Sequence, residues 1–160
     1  MKLPKILKPA KAYTLIHLLL FIGVVTIIGL GVFILLNPNQ RIKDAKDAKR
    51  FDDVELLLNS IHQYKNDNQG SLPPGFTTGM NERQIGTADS GCVIETNGCA
   101  TINPSCIDVE SSLSKYFKTV PIDPDRTKEK TGYTVSVDSN NIITIKACGS
   151  ENAAPISVSR

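Results

Sequence analysis

The chain has 160 residues, 41% of them hydrophobic and 21% charged, with a net charge of +2. That length supports one domain with an appendage rather than two full domains. Lys2, Lys5, Lys8 and Lys11 precede the first apolar run, and without these four the balance is −2. The rest of the chain therefore has no basic surplus to attract a nucleic acid.

Residues 1–12 read as a basic leader and 13–36 as an apolar helix. From Leu15 to Leu36 nearly every side chain is apolar, and His17 alone can carry a charge. Those 22 residues make a helix of about 33 Å against a hydrocarbon layer of about 30 Å. A secretory signal has an apolar core of only ~7–15 residues and a small-residue cleavage site, whereas this run ends in "FILLNPNQ". A membrane span fits better. Lysines before it place the N-terminus in the cytoplasm and the C-terminal part outside.

Residues 37–70 continue as an amphipathic helix. Pro38 removes a backbone donor and disfavours helix at Asn37, so a joint is expected there. Beyond it Phe51, Val54, Leu58, Ile61 and Tyr64, with Leu57 beside them, form one apolar stripe at steps of three and four. Asp47 with Arg50, and Lys49 with Asp53, fall at helical pair spacing on the polar side. His62 reads as a solvated residue. Gly70 and "LPPG" close the helix.

Residues 71–160 read as an extracytoplasmic α+β head. The stretch from Ser71 to Cys106 is loop-like, and a loop that long in a compact domain needs a staple. Cys92, Cys99, Cys106 and Cys148 supply one: an even count in a small exported domain favours two disulfides, with three possible pairings. Cys92–Cys99 with Cys106–Cys148 is the expected set, because the first closes a short loop and the second ties the loop's end to a β-hairpin. Spacings of 7, 7 and 42 lack the tight ligand pairs of a zinc site. "VESSLSKYF" (109–117) predicts a short helix with Leu113, Tyr116 and Phe117 inward and Asp108 at its N-cap. "GYTVSV" (132–137) and "IITIKA" (142–147) predict that hairpin around "DSNN", and "PISVS" a last strand. The fold class is α+β, a long N-terminal helix packed on a small antiparallel sheet.

"KAYTLIHLLLFIGVVTIIGLGVFILL" resembles the N-terminal signature of type IV pilins and the pseudopilins of type II secretion. In that signature a basic leader and a small residue precede an aromatic, Thr-Leu-Ile, a glutamate and an apolar helix. "YKNDNQGSLP" is similar to the "Y-x-D-N-G-x-Y-P" ending of pilin-like rods. "LSKYFKTVPIDPD" with "GYTVSVDSNN…TIKAC" is similar to small pilin-like heads. The resemblance implies cleavage by prepilin peptidase between Ala12 and Tyr13, N-methylation of Tyr13, and assembly of copies, or of other pilin subunits, into a filament by inner-membrane machinery. The expected product is an extracellular structural subunit. A pseudopilin and a tethered adhesin or binding module that never polymerises are the alternatives.

Two positions depart from that pattern. Ala12 stands where glycine is usual, and His17 where the family has a glutamate. In the family that carboxylate neutralises the amine of a neighbouring subunit within the apolar core, where either charge alone is costly. A neutral imidazole could accept a hydrogen bond from the amine but not neutralise it. A minor, tip or initiating subunit is therefore expected over the bulk polymer.

No nucleophile elbow, phosphate loop or H-E-x-x-H is present, so no enzyme is expected. No cofactor is expected either. The turn "DPDRTKE" offers Asp123 and Asp125 as calcium oxygens, and some pseudopilins hold calcium in this domain, but an ordered ligand pattern is missing.

Overall fold

The computed structural model describes residues 14–152 and 155–160. Two units separate, one up to Gln40 and one from Arg41 onward. In the first, helix α1 covers Leu15–Leu36 and ends at Asn37, whose backbone is left-handed (φ 41°, ψ 67°). Asparagine tolerates that conformation better than most residues. Helix α2 is Pro38–Asp67, with Pro38 at its first position, where a missing N–H costs nothing. The joint expected at Pro38 is thus at Asn37, with proline opening the next helix.

In the second unit the sheet is built from β1 (Arg83–Gln84), β2 (Tyr133–Val137), β3 (Ile143–Ala147) and β4 (Ile156–Ser159). It is antiparallel throughout, in the order β1-β2-β3-β4. The β2–β3 turn is held by Asp138, whose Oδ1 accepts from the amides of Asn140 and Ile142, both at 2.8 Å. The single helical turn α3 (Glu110–Leu113) is shorter than the sequence suggests. The N-cap is Val109 rather than the expected Asp108, which precedes it and accepts from Glu110 N at 2.8 Å. Leu113 and Phe117 are buried and Tyr116 half-buried.

Strand alternation assigns the two faces of the sheet. Tyr133, Val135 and Val137 with Ile143, Ile145 and Ala147 join Val54, Leu57, Leu58 and Ile61 of α2 in one core. Burial of each large side chain contributes about 1.5–3 kcal/mol. On the opposite face Thr134 is also fully buried. A loop covers it: the Thr134 Oγ1 lies 3.6 Å from Cys99 Sγ and 3.9 Å from Cys148 Sγ. This α+β arrangement, a helix on a four-stranded antiparallel sheet, matches the expected class.

The inward stripe of α2 differs from the expected one at its start. Phe51 is 46% exposed, whereas Arg50 is 1% exposed and stands one turn before Val54. The helix buries 50, 54, 57, 58 and 61, so the stripe is rotated by one residue at its first turn. His62 is half-buried, and burial, then the Lys65 charge, lowers its pKa.

The last segment is fixed to α2 by Asp47. Its carboxylate accepts from the amides of Glu151 and Asn152, both at 3.0 Å, and from Asn152 Nδ2 at 2.8 Å. Burial pushes the Asp47 carboxyl up, but these donors and Arg50 outweigh it and hold it below its ordinary value. A depressed folded-state value means the contribution is complete at neutral pH and is lost as pH falls below about 4. The thermal stability gap between wild type and Asp47→Asn should therefore shrink on acidification, as melts followed by circular dichroism from pH ~7 to pH ~3 would record.

Candidate functional site

Two features beyond the core invite a function: the bare helix α1 and the braced loop of the head. Every described side chain of α1 is exposed, including Leu15 (79%), Phe21 (66%) and Leu35 (85%). Among the described residues this is the helix long and apolar enough to cross a membrane. Its sequence holds two polar side chains, and both have partners. Thr26 Oγ1 donates to Ile22 O at 2.8 Å, and His17 Nδ1 shares a hydrogen bond with Thr14 Oγ1. Such internal pairing is what an apolar solvent requires. Gly23, Gly29 and Gly31 leave open notches, since a Cβ at any of them would meet nothing within 4 Å. The processing residues Ala12 and Tyr13 lie outside the described residues.

The disulfides correct the expected pairing. They join Cys92 to Cys106 and Cys99 to Cys148, with Cα–Cα distances of 5.3 and 5.6 Å. The physical reason is a turn. Thr96–Cys99 closes through Cys99 N to Thr96 O at 2.9 Å, with Asn97 and Gly98 both at positive φ (50° and 81°). This doubles the chain back, so Ile94 and Thr101 pair across it: Thr101 N donates to Ile94 O at 3.0 Å, and Ile94 N to Thr101 Oγ1 at 2.7 Å. Cys99 at the tip then points to the hairpin, and Cys92 and Cys106 close the stem. Sequence spacing alone favours joining neighbours, and misses a turn that sends them apart.

The acidic turn at Asp123 and Asp125 is engaged by cationic side chains. Asp123 is buried, and its two oxygens face Arg50, with Nε on Oδ2 and Nη2 on Oδ1 at 3.0 Å. Arg50 Nη1 reaches Asp47 at 2.9 Å and Nη2 reaches Asp125 at 3.1 Å. Lys46 takes the Asp125 carboxylate at 2.9 Å. These carboxylates therefore have a guanidinium and an ammonium as their partners. The Asp123 hydrogen bonds, foremost, keep the Arg50 guanidinium charged far above the physiological range. Gly149 makes room for the pair: a Cβ there would lie 2.6 Å from Asp123 Oδ2. Alongside, the buried Tyr133 hydroxyl donates to Asp53 at 2.6 Å, and Lys49 donates to the same carboxylate at 2.7 Å. Burial, then that carboxylate, raises the phenol's pKa well above its ordinary value. The two pairs expected from helical spacing, Asp47 with Arg50 and Lys49 with Asp53, both form, at 2.9 and 2.7 Å. What sequence reasoning misses is that Arg50 is buried and meets Asp123, for which the signal is its place four residues before Val54 on the inward stripe.

The head also has an open groove of about 550 Å³ beside β1, lined by Met80, Glu82, Arg83, Ile102, Asn103 and Pro104 among others. Its charged side chains have partners, although the buried Arg83 Nε has none among the described residues. Glu82 accepts from Thr134 at 2.6 Å and Lys146 at 2.9 Å, while Arg83 donates to Ser105 Oγ and Cys106 O, both at 3.1 Å. Among the described residues no group of three or more His, Cys, Asp or Glu side chains is placed to hold a metal ion.

The class these observations define is an α+β head with two disulfides, on a chain that also carries an apolar helix of membrane-spanning length. The chain matches no family model, no curated protein and no solved structure.

Proposed function

We propose that this protein is a pilin-like structural subunit, made as a membrane-inserted precursor, trimmed between Ala12 and Tyr13, and assembled with its own or related subunits into an extracellular filament. The observation that carries the reading is α1. It exposes apolar surface all round, and each of its two polar side chains makes a local hydrogen bond, Thr26 to Ile22 O and His17 to the N-cap Thr14. Such a helix can pass from lipid into a bundle of like helices with little change in hydrophobic free energy, so close packing decides assembly. The α+β head and its two disulfides suit the outer compartment that such a filament occupies.

Mass spectrometry of the native N-terminus, in cells with a prepilin peptidase, tests this directly. A chain that begins at methylated Tyr13 and is recovered in sheared filaments is the expected result. An intact Met1 leader on protein that stays in the membrane would indicate the tethered module instead.

His17 sets the subunit's place. At the point where assembly would bring a neighbour's amine into the apolar core, an imidazole cannot offer the full negative charge of a carboxylate. A minor or initiating subunit meets few such neighbours. His17→Glu is expected to raise incorporation into filaments, measured as the ratio of filament-borne to membrane-borne protein. An unchanged or lower ratio would remove His17 from the assembly argument.

A further inference from the structure

We propose that Asn97–Gly98 is a conditional modification site, silent while the Cys99–Cys148 bridge is closed and converted to aspartate and isoaspartate in chains whose bridge has not formed. An asparagine followed by glycine is sterically the most open setting for attack of a backbone nitrogen on a side-chain amide, because glycine has no Cβ to obstruct it. Both residues are exposed, so solvent reaches them.

In the folded head the Asn97 amide is held away from that reaction. Its Nδ2 donates to Cys148 O at 3.0 Å and to Ser150 O at 3.1 Å. Thr96 Oγ1 donates to the same Cys148 carbonyl at 3.1 Å. The left-handed backbone at Asn97 and Gly98 is fixed by the Thr96–Cys99 turn, and the bridge from Cys99 to Cys148 anchors the turn to the segment that receives these bonds. Without the bridge, the turn and its two carbonyl acceptors have no covalent reason to stay together.

The reaction needs only water. The Gly98 nitrogen loses its proton to solvent and bonds to Asn97 Cγ; the Cγ–Nδ2 bond breaks, and ammonia leaves with a proton. Water then opens the five-membered imide at either carbonyl, giving aspartate or isoaspartate with no change of oxidation state. The product cannot restore the native contacts. A carboxylate replaces a donor and faces Cys148 O and Ser150 O, both acceptors. The nearby Lys146 ammonium is already bonded to Gly98 O and Glu82, both at 2.9 Å. A chain modified in this way closes the bridge poorly, so the change marks a head that failed to oxidise in time.

The test compares full-length wild type, C99S/C148S and C92S/C106S in detergent, incubated at mildly alkaline pH, with the Asn97 peptide analysed for isoaspartate. Releasing two hydrogen bonds of ordinary strength corresponds to about tenfold to a hundredfold in rate. C99S/C148S should convert faster than wild type by that factor. C92S/C106S, which keeps the anchoring bridge, should stay near wild type. Equal rates in wild type and C99S/C148S, or fast conversion in both variants, would overturn the proposal.

Discussion

Arg50→Ala is expected to destabilise the head by about 3–5 kcal/mol, the cost of leaving a buried charge without its partner. Asp123 is the group left behind. It is 2% exposed, and both its oxygens face the guanidinium. Gly149 packs against the same carboxylate, where a Cβ would lie 2.6 Å from Asp123 Oδ2. A loss of that size lowers the melting temperature by roughly 10–20 °C in a unit of this length, readable by near-ultraviolet circular dichroism of the full chain in detergent. Two controls assign the effect to the pair. Lys46→Ala removes a half-buried partner of the exposed Asp125 and should cost far less. The double variant R50M/D123L replaces the pair by apolar bulk and should recover stability relative to R50A. A melt of R50A close to wild type would show that water or a rearranged side chain already serves Asp123.

That cluster marks where the sequence stops being legible. Arg50 sits at i−4 from Val54, and any apolar-stripe rule rejects an arginine there in favour of Phe51. The rule fails because burial of a charge depends on a partner 73 residues away in sequence, and pairing at that distance leaves no periodic trace. The local elements were readable for the opposite reason. The hairpin of β2 and β3 carries alternating apolar residues round an Asp-Ser-Asn-Asn turn, and α1 is simply apolar. Strand β1, two residues long, is too short for any alternation and exists only because β2 offers an edge. The α3 turn is a similar case: "VESSLSKYF" has helical spacing, but the hydrogen bonds close one turn before the chain continues toward Val120.

The site residues divide in the same way. His17 and the glycine notches at Gly29 and Gly31 are visible from composition, because an apolar run makes any exception conspicuous. The cysteines are visible too, but their partners are not, since connectivity follows from the Asn97–Gly98 turn. An Asn-Gly pair is a familiar signal for a two-residue reversal with positive φ. Reading it as a reversal rather than as part of a long loop places Cys99 at a tip, away from Cys92, and favours the observed pairing.

The two bridges should therefore differ in worth, and C99S/C148S is expected to be the more damaging loss. Closing a loop restricts the unfolded chain, and the effect grows with the logarithm of the separation. For separations of 49 and 14 residues the chain-entropy relation gives about 4 and about 3 kcal/mol respectively. Either is a large share of the roughly 5–15 kcal/mol that stabilises an ordinary domain. Native contacts widen the gap. Cys99–Cys148 holds the 94–101 loop over the outer face of the sheet, where it keeps Thr134 dry and covers Ile94, whereas Cys92–Cys106 closes the stem of a loop already secured by Arg83 and the Ile85–Ile107 bridge. Denaturant midpoints of the two serine double variants, measured without reductant beside wild type, should fall in that order. The reverse order would mean that the stem, not the tip, holds the loop against the sheet, and peptide mapping that finds Cys92 joined to any cysteine but Cys106 would remove the basis for the comparison.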